Sequence, residues 1–192
     1  MQHRVANNLA FVSAMLLAQR KRVIEAPETA PATLDEAIRR VELMGRIHRR
    51  LYLPNALEQS VGDYLRALCS DLMDATGAAG VEVRVHADSA RLDLERLTVL
   101  SLIVTELMTN SLKHAFGGRA GGVIAIDLTR EADSLMLTVT DDGPGMPAAP
   151  DARPPAAQGL GLMILDSLAR QLGAELRLPG PGQSATRLIF AA

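Results

Sequence analysis

The chain is poor in several residue types, and each shortage closes a class of function. It has one cysteine in 192 residues, which excludes an internal disulfide and any multi-cysteine zinc site. It has no tryptophan, and aromatics make up 3% of it, too few for a base-stacking platform. The net charge of −2 argues against a nucleic-acid surface, so no nucleic-acid partner is expected. No apolar run approaches the ~20 residues of a membrane span, so these residues predict no membrane contact. Lysine is scarce, two against eighteen arginines, which makes Lys113 a candidate for a specific role.

What is present suits a folded protein. Hydrophobic residues make up 48% and charged residues 22%, enough to bury a core. Two composition breaks divide the chain. Residues 25–33 (EAPETAPAT) carry two prolines without apolar periodicity, and residues 143–158 hold five of the ten prolines.

Before the first break, Val5, Leu9, Val12 and Leu16 follow a heptad spacing that predicts a helix over 1–24. Leu34, Ala37, Val41, Met44 and Leu51 repeat it over 34–52, with Thr33 as N-cap and Glu36 as its capping-box partner. Together they predict an antiparallel helical hairpin whose seam is completed by a second copy. From residue 59 the pattern becomes mixed. Helices are expected over 60–75, 94–115 and 160–172, with Cys69 in the core. Strands are expected at 81–85, 123–129, 135–141, 175–178 and 186–190. The connections are too short for a doubly wound sheet. The expected fold class is α+β, a helical hairpin followed by a mixed sheet with helices on one face. The expected domains are residues 1–55 and 56–192.

Four constellations stand out. Glu106, Asn110 and Lys113 share one stripe of the long helix, beside an apolar stripe of Leu97, Leu100, Val104 and Leu107. An amide and a carboxylate one turn apart suit a hydrated divalent cation, and a lysine suits phosphate, although a solvated face explains the stripe as well. Asp141 ends an apolar strand face and is followed by Gly143 and Gly145, a pattern fit either for a flat hydrogen-bond donor or for a simple turn. Gly159-Leu160-Gly161-Leu162 opens a helix, where freed backbone N–H groups can hold an anion. The Pro/Ala-rich stretch between these last two would make a mobile lid. Finally, His3 takes an outward position on the first helix, where a neutral imidazole is a competent nucleophile. His48 falls on the second helix's seam, His86 faces solvent on its strand, and His114 could line a pocket.

Taken along the chain, the four resemble the two-component sensor histidine kinases. The match is closest to the subgroup whose phosphoacceptor box reads His-Arg-x-x-Asn-Asn, here HRVANN at 3–8. ELMTNSLKHAF (106–116), DDGPGMP (141–147) and GLGLMIL (159–165) are similar to the N, G1 and G2 boxes of the gyrase, chaperone, histidine kinase and mismatch-repair ATPases. A related subgroup defined by a downstream tryptophan is excluded. The resemblance implies that His3 is the phosphoacceptor, that Asn110 holds Mg²⁺, and that Glu106 polarises the metal's water or the reaction. It implies ATP contacts from Asn110, Lys113, His114, Asp141, Gly143, Gly145, Met146, Gly159, Leu160, Gly161, Leu162 and Thr186. It further implies a response-regulator receiver as partner, a homodimer through residues 1–52, a cytoplasmic location, and a sensor upstream of this stretch. A histidine phosphotransfer protein with a degenerate ATPase fold, or an anti-sigma-type serine kinase, is the alternative.

Overall fold

A computed structural model describes residues 12–13, 16–17, 19–21, 23–51, 59–78, 80–116, 119, 121–146 and 160–192. The described residues before Ala26 are helical. A single 3₁₀ turn, Pro27–Thr29, then leads into α1, Ala30–Leu51. α2 (Val61–Thr76), β1 (Val81–Ala87), α3 (Leu94–His114), β2 (Gly122–Glu131), β3 (Ser134–Asp141), α4 (Leu160–Leu172), β4 (Glu175–Arg177) and β5 (Thr186–Ala191) follow.

Local chemistry sets these boundaries. Ser60 caps α2 by accepting the Asp63 N–H, and Gly77 stops it with φ 61, a left-handed turn that needs no Cβ. The Asp93 carboxylate caps α3 by accepting from the N–H groups of Glu95 and Arg96. The five strands form one sheet in the order β1-β2-β3-β5-β4. β1 and β2 run parallel and every other pair is antiparallel, so the sheet is mixed as expected.

Strand alternation places the core. Ile124, Ile126 and Leu128 of β2, Leu135, Leu137 and Val139 of β3, and Leu188 and Phe190 of β5 are all buried on one face. α2, α3 and α4 cover that face. The expected apolar stripe of α3 is buried throughout, and Cys69 lies in the core of α2. Burial pushes the Cys69 thiol up to about 12, so it is a packing residue with no thiolate at neutral pH. Ala37, Ile47 and Leu51 of α1 join the same continuous core.

α1 departs from expectation. It begins at Ala30, so Thr33 is a buried residue inside the helix and no N-cap, and Glu36 closes no capping box. The prolines read as breakers each sit in a first turn, where the missing N–H has no partner to lose. The seam is also rotated. Leu34 and Val41 are exposed, and Ile47 is buried instead. His48, next to Ile47, points to the exposed side. The reason is tertiary: α1 turns toward α2 and α3, where Arg50 Nε of α1 also donates to Asp71 of α2 at 2.9 Å.

Candidate functional site

The second half of α3 gathers the motifs. Glu106 is buried, Asn110 is half-buried one turn on, and Lys113 and His114 are exposed at the helix end. Burial pushes the Glu106 carboxyl above the usual carboxylate range and Glu36 adds to the rise, while Arg40 and Lys113 pull it down.

Two segments distant in sequence converge on this half-helix. Gly161, in the first turn of α4, sits so close that a methyl there would lie 2.5 Å from Glu106 Oε1 and 3.3 Å from the Asn110 amide. At the end of β3, Asp141 Oδ2 accepts a hydrogen bond from Ser111 Oγ at 2.8 Å, and Oδ1 accepts the Gly143 N–H at 3.0 Å. Gly143 in turn approaches Ala115, where a methyl would meet its Cβ at 2.4 Å. Gly145 has φ 72, a conformation that favours glycine, and lies against the backbone of Gly182. Met146 then exchanges backbone hydrogen bonds of 2.8 Å with Gln183 and Gly182, which fixes the loop after β3.

Thr186 is buried on β5 opposite Val139. Leu162 is half-buried in α4. Leu160 begins α4. His3 and Gly159 lie outside the described residues, as does the stretch read as a lid. His86 is exposed, as its strand position predicts.

The donor set fits a magnesium nucleotide. Among the described residues no cluster of three or more His, Cys, Asp or Glu could hold a metal alone. Mg²⁺ keeps several waters and takes the rest of its ligands from one or two side chains and substrate phosphates. The Asn110 amide, with Glu106 beside it, would suit that kind of partial site. Gly143, Gly145 and Gly161 have no room for a Cβ, which lets the loop after β3 pack on Ala115 and Gly182 and the start of α4 pack on Glu106 and Asn110.

Sequence reasoning missed what faces Glu106. Arg40 of α1 donates from Nη2 to Glu106 Oε1 at 2.9 Å and from Nε to Glu36 Oε1 at 2.8 Å. The second Glu36 oxygen bonds the Lys113 ammonium. Burial pushes Glu36 up, but Lys113 and Arg40 outweigh it and hold its carboxyl at about 2. The i, i+4 spacing of Glu36 and Arg40 was the available signal. Ser111 and Ser184 were missed too. Ser184 Oγ donates to the Asp141 carbonyl at 2.6 Å.

Residues 69–190 match the family model of the histidine kinase-like ATPase domain, and residues 1–76 match a histidine kinase model. The chain is 31% identical over 187 residues to the blue-light-activated histidine kinase 2 of Erythrobacter litoralis, covering 94% of this chain and 52% of that protein. It is 30% identical to the sensor histidine kinase PdtaS of Mycolicibacterium smegmatis, covering 86% of this chain and 33% of that protein. It therefore spans about half or a third of the length of these relatives. The solved histidine kinase domain of the Erythrobacter litoralis EL346 blue-light-activated kinase superposes with a TM-score of 0.65 at 25% identity, over 95% of both chains. Anti-sigma F factor of Bacillus cereus matches 44% of this chain at 33% identity. The chain belongs to the two-component histidine kinase family, with that family's ATPase domain.

Proposed function

We propose that this chain is an ATP-dependent protein-histidine kinase, divided into a phosphoacceptor hairpin (1–55) and an ATP-binding domain (56–192). The observation that carries the reading is the convergence on α3. Asp141 bonds Ser111, Gly143 packs on Ala115, and Gly161 abuts Glu106 and Asn110. Two sequence motifs thus meet the third on one half-helix.

In this reading Asp141 accepts a hydrogen bond from the adenine amino group, held in place by Ser111 and the Gly143 N–H. Gly143, Gly145 and Met146 shape the loop beneath the base, and Thr186 lies on the neighbouring strand. Lys113 and His114 lie on the phosphate side, and Leu160 to Leu162 supply backbone N–H groups at the start of α4, with Gly159 preceding them in the sequence. Asn110 would hold Mg²⁺, which neutralises phosphate charge when bound. Glu106 orients the reacting groups beside it.

The γ-phosphoryl group moves to His3. An unprotonated imidazole nitrogen forms the P–N bond, the bond to the β–γ bridging oxygen breaks, and ADP leaves. The other ring nitrogen then gives up its proton. Positioning and charge neutralisation carry the rate. Phospho-His3 passes its phosphoryl group to an aspartate of a separate receiver domain, in the cytoplasm where ATP is available. The exposed side chains of Leu16, Leu17, Ile24, Leu34, Ile38 and Val41 favour pairing of the hairpin with a second copy.

Incubation with MgATP should label the chain with an acid-labile, alkali-stable phosphoryl group that His3→Ala abolishes. Label that survives His3→Ala and disappears in His48→Ala would move the phosphosite. Acid-stable phosphoserine on a partner would support the serine kinase instead, a reading the partial anti-sigma match favours. Failure to bind ATP at all would leave only phosphotransfer.

A further inference from the structure

α1 lays two opposite charges on α3, and their order matters. The Glu36 carboxylate sits on the Lys113 ammonium, and the Arg40 guanidinium sits on the Glu106 carboxylate. In the reading above, MgATP brings negative phosphate to Lys113 and a positive metal beside Glu106 and Asn110. α1 therefore presents, at the same side chains, the same signs of charge as the ligand. We propose that the Glu36–Arg40 face of α1 is a built-in competitor of MgATP, so that docked α1 and bound nucleotide exclude one another. The inference rests on the nucleotide-site reading of α3.

The conflict is electrostatic and poorly screened. The side chains of Arg40 and Glu106 are 11% and 8% exposed, and that of Glu36 is 19% exposed. A phosphate reaching Lys113 meets Glu36, and a cation beside Glu106 meets Arg40. Like charges a few ångströms apart repel more strongly as water is excluded. Glu36, held near 2 by its cationic partners, does not escape by protonation at neutral pH.

The helix is also built to release at one end. Its C-terminal half is anchored in the core through Ile47 and Leu51. Its N-terminal half leaves Leu34, Ile38 and Val41 exposed and buries only Thr33 and Ala37, so ion pairs carry much of that contact. Even docked, Arg40 is incompletely satisfied: Nη1 is buried without a hydrogen-bond partner, as is Thr105 Oγ1 across the cavity between α1 and α3. Unmade hydrogen bonds of this kind weaken the docked state.

Two measurements on the 192-residue chain test this. Calorimetric titration with magnesium and a non-hydrolysable ATP analogue should show the Glu36→Gln/Arg40→Gln double variant binding about tenfold tighter than the wild type. Arg40→Lys, which keeps the charge, should stay near the wild type. Hydrogen exchange on the wild type should rise over residues 31–45 when the analogue binds, and stay unchanged over 46–51. Equal or weaker binding by the double variant, with exchange in 31–45 unaltered, overturns the competition and leaves the nucleotide site standing. No binding by either chain overturns the nucleotide-site reading and the inference with it. Binding by the double variant alone supports both.

Discussion

Ser111 Oγ donates a 2.8 Å hydrogen bond to Asp141 Oδ2, tying the last turn of α3 to the last residue of β3. The Gly143 N–H takes the other oxygen, so the carboxylate has one orientation. Hydrogen bonds to charged groups contribute roughly 1.5–3 kcal/mol when buried, and Asp141 is only half-buried. Ser111→Ala should therefore weaken ATP binding by roughly three- to tenfold, and Asp141→Ala by far more. Calorimetric titration checks both. Unchanged affinity in Ser111→Ala would show that the serine does not hold the carboxylate for the ligand.

Gly161 gives a second test. Alanine is the better helix former by about 1 kcal/mol, so an unobstructed Gly161→Ala would stabilise α4. Its methyl would instead lie 2.5 Å from Glu106 Oε1 and close to the Asn110 amide. The expected outcome is a loss of autophosphorylation of more than about tenfold, with little change in the midpoint of thermal unfolding. Full activity would show that Glu106 and Asn110 have room to yield.

The ATPase half was legible in the sequence because its signals are local. Alternation in 135–139, the polar stripe at Glu106 and Asn110, and Gly161 at a helix start each follow from spacing alone, and α4 begins at Leu160 as expected. The seat of α1 was not legible for the same reason. Its sequence carries apolar residues on more than one face, and Leu34 and Val41 offered a regular heptad. Only contact with α2 and α3 selects the face bearing Ala37, Ile47 and Leu51. The Arg40–Glu106 pair spans 66 residues, and no local period encodes it.

That choice of face has a measurable consequence. Ile47 is 1% exposed and Val41 is 45% exposed. Truncating a buried isoleucine to alanine costs about 2–5 kcal/mol through lost transfer energy and the cavity left behind. The same truncation at an exposed site stays within about 0.5 kcal/mol. Denaturant unfolding of Ile47→Ala and Val41→Ala should separate by that margin. Equal losses would mean that the heptad face, not the Ile47 face, is covered in solution.

The ion-pair cluster should leave its mark on acid stability. Burial alone would raise the Glu36 pKa, but Lys113 and Arg40 bring it from 4.5 down to about 2. The folded chain therefore binds this proton less readily than the unfolded chain. The stabilisation from Glu36 is complete above pH 4.5 and is lost as pH falls toward about 2. Glu106 works in the opposite direction. Its carboxyl is raised by burial, so its protonation favours the fold as pH falls. The two effects oppose each other in the wild-type profile, and a single curve cannot separate them. The difference between Glu106→Gln and the double variant Glu36→Gln/Glu106→Gln can, because Glu36 also raises Glu106 and that contribution is then absent from both. Urea midpoints measured from pH 7 downward should show a gap that is constant to about 4.5 and narrows toward about 2. A gap independent of pH would mean that Lys113 and Arg40 do not hold Glu36 in its charged form.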